Sequence, residues 1–194
     1  MKKTEQGQDE QALAIIPARG EPPFAQMMAA RMMDYQPIPW ALLPDLGLYM
    51  DQVITFLERQ LAPLYAARTA GARQGRGGEG ERVLTPSMIN NYVKQGVIPR
   101  PNGKKYEREH LAALLMVCAL KQVLPMDAIV GLIGREPKDL CARYEAFCAQ
   151  QQQVLRRTGE LLAAGQATAM LCAVEAGAQC LAAEALLAPA PDGA

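Results

Sequence analysis

Residues 85–96 carry clear signals for both the beginning and the end of one short helix. Thr85 supplies a hydroxyl that can cap the first free backbone N–H groups, and Pro86 follows at the first helical position, where no N–H is needed. Gly96 comes at the end, where a left-handed residue commonly closes a helix. A helix this short and this well bounded must place its side chains on two defined faces.

The residues of this helix sort onto an apolar and a polar face. The apolar face, at spacing i, i+3 and i+4, consists of Ile89, Tyr92 and Val93. The polar face, at spacing i, i+3, i+4 and i+7, consists of Ser87, Asn90, Asn91 and Lys94. The sequence therefore predicts a helix that is anchored in a core and presents amides and a cation to its surroundings.

A basic turn is predicted directly after this helix. Asn102 and Gly103 are the preferred central pair of a type I′ hairpin turn, because both of its central residues need a positive φ. Arg100, Lys104 and Lys105 flank the pair. We predict a small β-hairpin wing with a cationic tip.

The charge of the chain is concentrated in the same region. The whole chain is neutral, with 20 basic and 20 acidic residues, but residues 82–121 hold seven basic residues against Glu107 and Glu109. Residues 1–67 and 122–194 each hold five basic and eight acidic residues. One positive segment between acidic flanks is the electrostatic pattern expected of a protein that meets phosphate with one face.

The remaining sequence predicts further helices. Half of the residues are apolar and only 5% are aromatic, which is typical of a mainly α protein. Apolar residues recur at helical spacing in the ranges 22–34, 48–62, 107–124 and 126–133 and over most of 138–187. Pro63 and Pro125 are expected to stop the helices that precede them.

Three segments resemble a known family. LYMDQVITFLE (48–58), LTPSMINNYVKQGVIP (84–99) and KKYEREHLAALLMVCALKQVLPMDAIVGLI (104–133) are similar to the bacterial MerR-like family catalogued as domain of unknown function eighteen thirty-six. The resemblance implies a MerR-like winged helix-turn-helix with additional C-terminal helices. Two features depart from MerR-type regulators: a Gly-rich link precedes the capped helix, and Asn90 and Asn91 replace an Arg and a Tyr.

The resemblance and the patterns together predict a domain organisation. Residues 1–21 form a disordered leader, and residues 22–135 form a MerR-like DNA-binding domain that contains a flexible loop at 68–82. Residues 136–194 form a C-terminal helical region.

The predicted function is sequence-specific binding of double-stranded DNA by a transcriptional regulator. Asn side chains match the donor and acceptor of adenine in the major groove, whereas Lys and Arg suit phosphates. The predicted DNA-binding residues are Ser87, Asn90, Asn91, Lys94, Arg100, Lys104, Lys105 and Arg108. The alternative is a protein-interaction module that uses the same basic surface to hold an acidic partner.

The sequence of the C-terminal region is compatible with two roles. Leu140, Tyr144, Phe147, Val154 and Leu161 give an imperfect coiled-coil pattern, which would make the protein a homodimer that reads two half-sites. Alternatively, this helix folds back on its own domain and covers apolar residues that include Met27, Met32 and Trp40.

Several other classes find no support in the sequence. The sequence contains no paired-carboxylate, Ser/His/Asp, phosphate-loop or H-E-x-x-H motif. We therefore expect that the protein has no enzymatic activity and binds no cofactor. Cys141 and Cys148 could share a thiolate metal site but are better explained as packing residues. We assign no function to His110, the single histidine.

With neither a secretory signal nor a long apolar stretch, the chain is expected in the cytoplasm and away from membranes. The sequence does not say whether a small-molecule effector binds.

Overall fold

The computed structural model describes residues 23–72, 83–134 and 139–188, and regular structure within these ranges is helical. The predicted leader, 1–21, and residues 73–82 of the predicted loop lie outside them. The described helices are α1 (Pro23–Asp34), α2 (Met50–Ala72), α3 (Pro86–Lys94), α4 (Arg108–Leu120), α5 (Met126–Ile133), α6 (Leu140–Ala163) and α7 (Ala169–Leu187), with a 3₁₀ turn at Trp40–Leu42. The predicted mainly α class is thus confirmed.

Helix α4 lies at the centre of the core. Every residue from His110 to Cys118 is buried, so the helix is covered on all sides. It packs against α2, α5 and α6, and α3 packs against α2. Helical periodicity predicted one buried face of α4, but the central position of the helix buries the other faces as well.

Helix α2 continues past Pro63, and the prediction that it stops there was wrong. A proline inside a helix removes one backbone hydrogen bond and crowds the carbonyl one turn earlier. The second half of the helix is nevertheless held against α4, because the Tyr65 hydroxyl donates to the Cys118 carbonyl at 2.7 Å. Helix α2 therefore runs to Ala72, into the range predicted as loop.

The prediction of a β-hairpin wing was wrong, and with it that of a winged helix-turn-helix. The described residues contain no β-strand; Asn102 and Lys105 form an isolated antiparallel bridge, and Leu48 and Tyr106 form another. A hairpin would need a further hydrogen-bonded pair between Arg100 and Glu107. The Glu107 N–H instead donates to His110 Nδ1 at 3.0 Å as α4 begins.

The competing contacts explain why the hairpin ends after one pair. The start of α4 uses both backbone groups of Glu107: its N–H donates to His110 Nδ1, and its carbonyl accepts from the His110 and Leu111 N–H groups at 3.0 and 3.2 Å. Tyr106 exchanges both of its backbone hydrogen bonds with Leu48, at 2.8 and 2.9 Å. The second arm of the predicted wing thus pairs with the first arm at Lys105 and with the segment before α2 at Tyr106, and at Glu107 it passes into α4.

Helix α6 packs along α1 within the same chain. Gly159 of α6 lies so close to α1 that an added Cβ would be 2.8 Å from the Ala29 carbonyl oxygen. The Trp40 ring packs edge-on against Tyr144, with 6.1 Å between centroids. These contacts favour the second of the two predicted uses of this helix, in which it folds back on its own domain, although Met27 stays exposed.

Helix α7 follows a break at Gly165, whose φ of 67° is in the left-handed region. None of its residues is fully buried, and only Ala183 and Leu187 pack against the core. Helix α7 is long and apolar enough to cross a membrane, with a mean hydropathy of 1.5. One such helix is only weak evidence for a membrane-spanning segment. The cytoplasmic location therefore stays a prediction.

Candidate nucleic-acid interface

Helix α3 begins and ends as its sequence predicts. The Thr85 hydroxyl accepts a hydrogen bond from the Met88 N–H at 3.3 Å, and Pro86 occupies the first helical position. Gly96 follows with a φ of 70°, so the chain reverses where glycine is best tolerated. The start and the end of α3 are therefore fixed by local sequence.

The two predicted faces of α3 are confirmed. Ile89 and Tyr92 are buried, at 0% and 6% exposure, and burial raises the pKa of the Tyr92 hydroxyl. The exposed residues of the helix include four that were predicted to bind DNA: Ser87, Asn90, Asn91 and Lys94. The amides therefore face outward from a helix that the core holds in place.

The basic turn, residues 100–105, is tight and exposed at its tip. Asn102 and Lys105 exchange two backbone hydrogen bonds, of 2.9 and 3.1 Å. Gly103 and Lys104 lie between them with φ values of 54° and 67°, as a type I′ turn requires of its central pair. The predicted turn thus forms one residue later than Asn102-Gly103.

The cations around this turn have different surroundings. Arg100, Lys104 and Lys105 are exposed, and Lys105 Nζ lies 5.8 Å from the centroid of the Tyr49 ring. Arg108 is only partly exposed, and its Nε donates to the Leu43 carbonyl at 3.2 Å. Arg108 is thus partly committed to holding the start of α4.

A groove of about 830 Å³ brings some of these groups together. Lys94 and Arg100 line it, and so do Glu107 and Glu109 from the start of α4. Lys104 and Lys105 do not line this groove; the Lys105 side chain packs beside Gly47 instead. The structure therefore splits the predicted cations between the groove and the tip of the turn.

His110 is a buried residue that sequence reasoning left without a role. It is 5% exposed and lines the same groove, and its ring packs edge-on against Tyr106 with 5.5 Å between centroids. Its Nδ1 accepts from the Glu107 N–H, while its Nε2 has no hydrogen-bond partner among the described residues. The available sequence signal was its position three residues after Glu107, where a side chain can reach back to the cap.

The cysteines do not form a recognisable metal centre in the described ranges. No group of three or more His, Cys, Asp or Glu side chains is placed there to hold a metal ion. Cys148 is buried, with its Sγ 3.9 Å from the Ile38 carbonyl oxygen, whereas Cys141 is partly exposed. Burial accounts for Cys148 as a packing residue.

These features define a small helical domain with a central buried helix and a short, rigidly anchored, polar-faced helix at its surface. The family described as Domain of unknown function (DUF1836) matches residues 38–146, which is more than half of the chain, and the chain therefore belongs to this family. The match includes α2 to α5, together with the start of α6. Comparison with curated proteins gives no significant match, and comparison with solved structures gives none either.

Proposed function

We propose that this chain binds double-stranded DNA sequence-specifically, as a homodimeric, cytoplasmic transcriptional regulator. The observation that carries the proposal is the division of α3. Its amides at Asn90 and Asn91 are exposed, while Ile89 and Tyr92 fix the same helix in the core. A reading helix must be both accessible and held at a constant angle.

The dimensions and chemistry of α3 suit the major groove. A helix with its side chains is about 10–12 Å in diameter, and the major groove is about 12 Å wide. An Asn amide can donate to and accept from the edge of one adenine. Little side-chain entropy is lost on binding, because Asn has few rotatable bonds.

Phosphate contacts are assigned to Lys94 at the end of α3 and to the exposed cations of the basic turn. Lys94, Arg100, Lys104 and Lys105 can each neutralise a phosphate without reading sequence. Glu107 and Glu109 would repel phosphate, so the first turn of α4 is placed away from the duplex. The proposed contact surface therefore consists of the exposed face of α3 and the tip of the turn.

We also propose common descent with MerR-type regulators, but without their β-hairpin wing. The support is the sequence order of a capped helix, a basic turn and a long buried helix followed by a short one. All of these elements lie within the family match.

The test measures duplex affinity against salt. A genomic-fragment selection at two salt concentrations first supplies a preferred site. The slope of log affinity against log salt should flatten by about 2 in the variant Lys104→Asn with Lys105→Gln, since each lost phosphate contact removes roughly 0.9 from the slope. Asparagine is chosen at position 104 because it tolerates the positive φ found there. The matched control is Arg157→Gln, an exposed cation on α6, which should leave the slope unchanged.

A second variant in the same experiment tests whether Asn91 reads a base or only positions the protein on the duplex. Asn91→Ala should weaken the preferred site by about 1–3 kcal/mol and leave random duplex nearly unaffected. Equal losses on both duplexes would remove Asn91 from base reading. Absence of duplex binding, together with a bound acidic protein that survives nuclease treatment, would replace this function by the protein-interaction module.

A further inference from the structure

The groove beside α3 has walls from three parts of the chain. The residues from Val93 to Arg100 form one wall, the start of α4 forms the second, and Ile133, Gly134 and Leu140 form the third. Its volume of about 830 Å³ lies in the range typical of small-molecule sites. The groove is therefore large enough for a ligand rather than for ordered water alone.

His110 gives this groove a buried polar group without a partner. A backbone N–H can only donate, so the bond from Glu107 N–H at 3.0 Å makes His110 Nδ1 an acceptor. The hydrogen of the neutral ring must then lie on Nε2, which makes that atom a donor. Nε2 is buried and has no partner among the described residues, although buried donors are normally satisfied. An oxygen acceptor is the missing partner.

The other polar groups of the groove specify the rest of the ligand. Lys94 and Arg100 favour a carboxylate as the acceptor, while Glu107 and Glu109 favour an ammonium group. The remaining lining is largely apolar and includes Val97, Ile98, Ala113 and Ile133. A ligand that uses all of these features carries both charges and an apolar body.

We propose that this groove binds a zwitterionic amphipathic small molecule, of the class of a short apolar peptide, through its carboxylate at His110 Nε2. The proposal goes beyond DNA binding and does not rest on it. Nε2 has almost no solvent contact in the free protein, so a side chain of the groove wall must turn aside when the ligand enters.

The test follows the imidazole directly in the full chain without DNA. Because His110 is the single histidine, the nitrogen NMR spectrum of the histidine ring reports this site alone. Three probes of matched size are titrated: leucyl-leucine, its N-acetyl derivative, which keeps only the carboxylate, and leucyl-leucinamide, which keeps only the ammonium. Leucyl-leucine should shift the Nε2 signal saturably and bind more tightly than either single-charge probe.

Variants then assign the two ends of the ligand. Arg100→Gln should weaken leucyl-leucine and the N-acetyl probe about tenfold, and Glu109→Gln should weaken leucyl-leucine and the amide probe by a similar factor. His110→Gln should also lose affinity in calorimetry, while glutamine can still accept from the Glu107 N–H and keep the start of α4. The matched control is Arg157→Gln, which lies outside the groove.

Two results would overturn the proposal. One is that none of the three probes shifts the Nε2 signal saturably. The other is an affinity for leucyl-leucine no greater than that for a single-charge probe. Because the titration contains no duplex, neither result bears on whether α3 binds DNA.

Discussion

Single residues of the core show how strongly burial changes acid–base behaviour. Burial raises the pKa of the Cys118 thiol from its ordinary value of 9.0 to about 11, although Lys121 opposes the change. Burial likewise raises the pKa of the Tyr35 hydroxyl to about 12. Both groups lie in the packed interior, so the charged form is disfavoured there.

Stability should therefore fall as pH rises above 9. The unfolded chain loses the Cys118 proton near pH 9, whereas the folded chain keeps it up to about pH 11. The unfolded state then binds fewer protons, and the free energy of unfolding drops by about 2 kcal/mol across this window. Urea denaturation under reducing conditions at pH 8 and at pH 10.5 measures this drop. The variant Cys118→Ala should lose less stability than the natural chain, and identical losses would contradict the assignment.

At the scale of elements, the packing of α6 on α1 depends on the lack of a side chain at Gly159. An added Cβ would lie 2.8 Å from both the Ala29 carbonyl oxygen and Met33 Cγ. Backbone cannot move aside as easily as the end of a side chain, so the helices would have to separate. Gly159 thus sets the distance between α1 and α6.

Two glycine substitutions should accordingly have opposite signs. Gly159→Ala should destabilise the protein by about 1–3 kcal/mol through overpacking, despite the better helix propensity of alanine. Gly131→Ala on α5, where an added Cβ meets no described atom within 4 Å, should stabilise by roughly 0.5–1 kcal/mol. Urea denaturation of both variants makes the comparison. A stabilising Gly159→Ala would show that α1 does not approach α6 as described.

Local signals predicted some of these elements well. The start and end of α3 follow from Thr85, Pro86 and Gly96, and α5 was predicted with its exact bounds, because short-range caps and prolines decide both. The exposed face of α3 also followed from helical spacing alone. Its use in DNA binding remains a prediction.

Prediction from the sequence failed where contacts between distant parts of the chain determine the structure. Tyr106 pairs with Leu48, 58 residues earlier, although no local pattern indicates this contact. Helix α2 passes Pro63 while Tyr65 is bound to α4. The groove and the unpartnered His110 arise where α3, α4 and the α5–α6 region meet. No local sequence pattern indicates which distant segments come into contact.

At the scale of the whole molecule, the described residues leave one helix almost uncovered. Helix α7 exposes Met170, Val174 and Leu181, with 74%, 62% and 69% of each residue accessible. These residues recur at i, i+4 and i+11 and so share one face, with Gly177 between them. Dimeric DNA-binding proteins need a self-complementary contact of this kind.

We expect α7 to form the contact between two copies in the proposed homodimer. Sedimentation equilibrium should give a dimer for the natural chain and a monomer for Val174→Glu with Leu181→Glu, since buried unpaired carboxylates are costly. The control Val154→Glu replaces an equally exposed residue, at 62%, on α6 and should stay dimeric. A monomeric natural chain would remove the homodimer from the proposal.

Lys94 belongs at once to the exposed face of α3 and to the wall of the groove. One ammonium group cannot fully neutralise a duplex phosphate and a ligand carboxylate together. A molecule seated in the groove would thus draw this cation away from the duplex, and the duplex would weaken the ligand by the same factor. Arg100 is shared in the same way, so these two cations would make the two equilibria antagonistic without any change of fold.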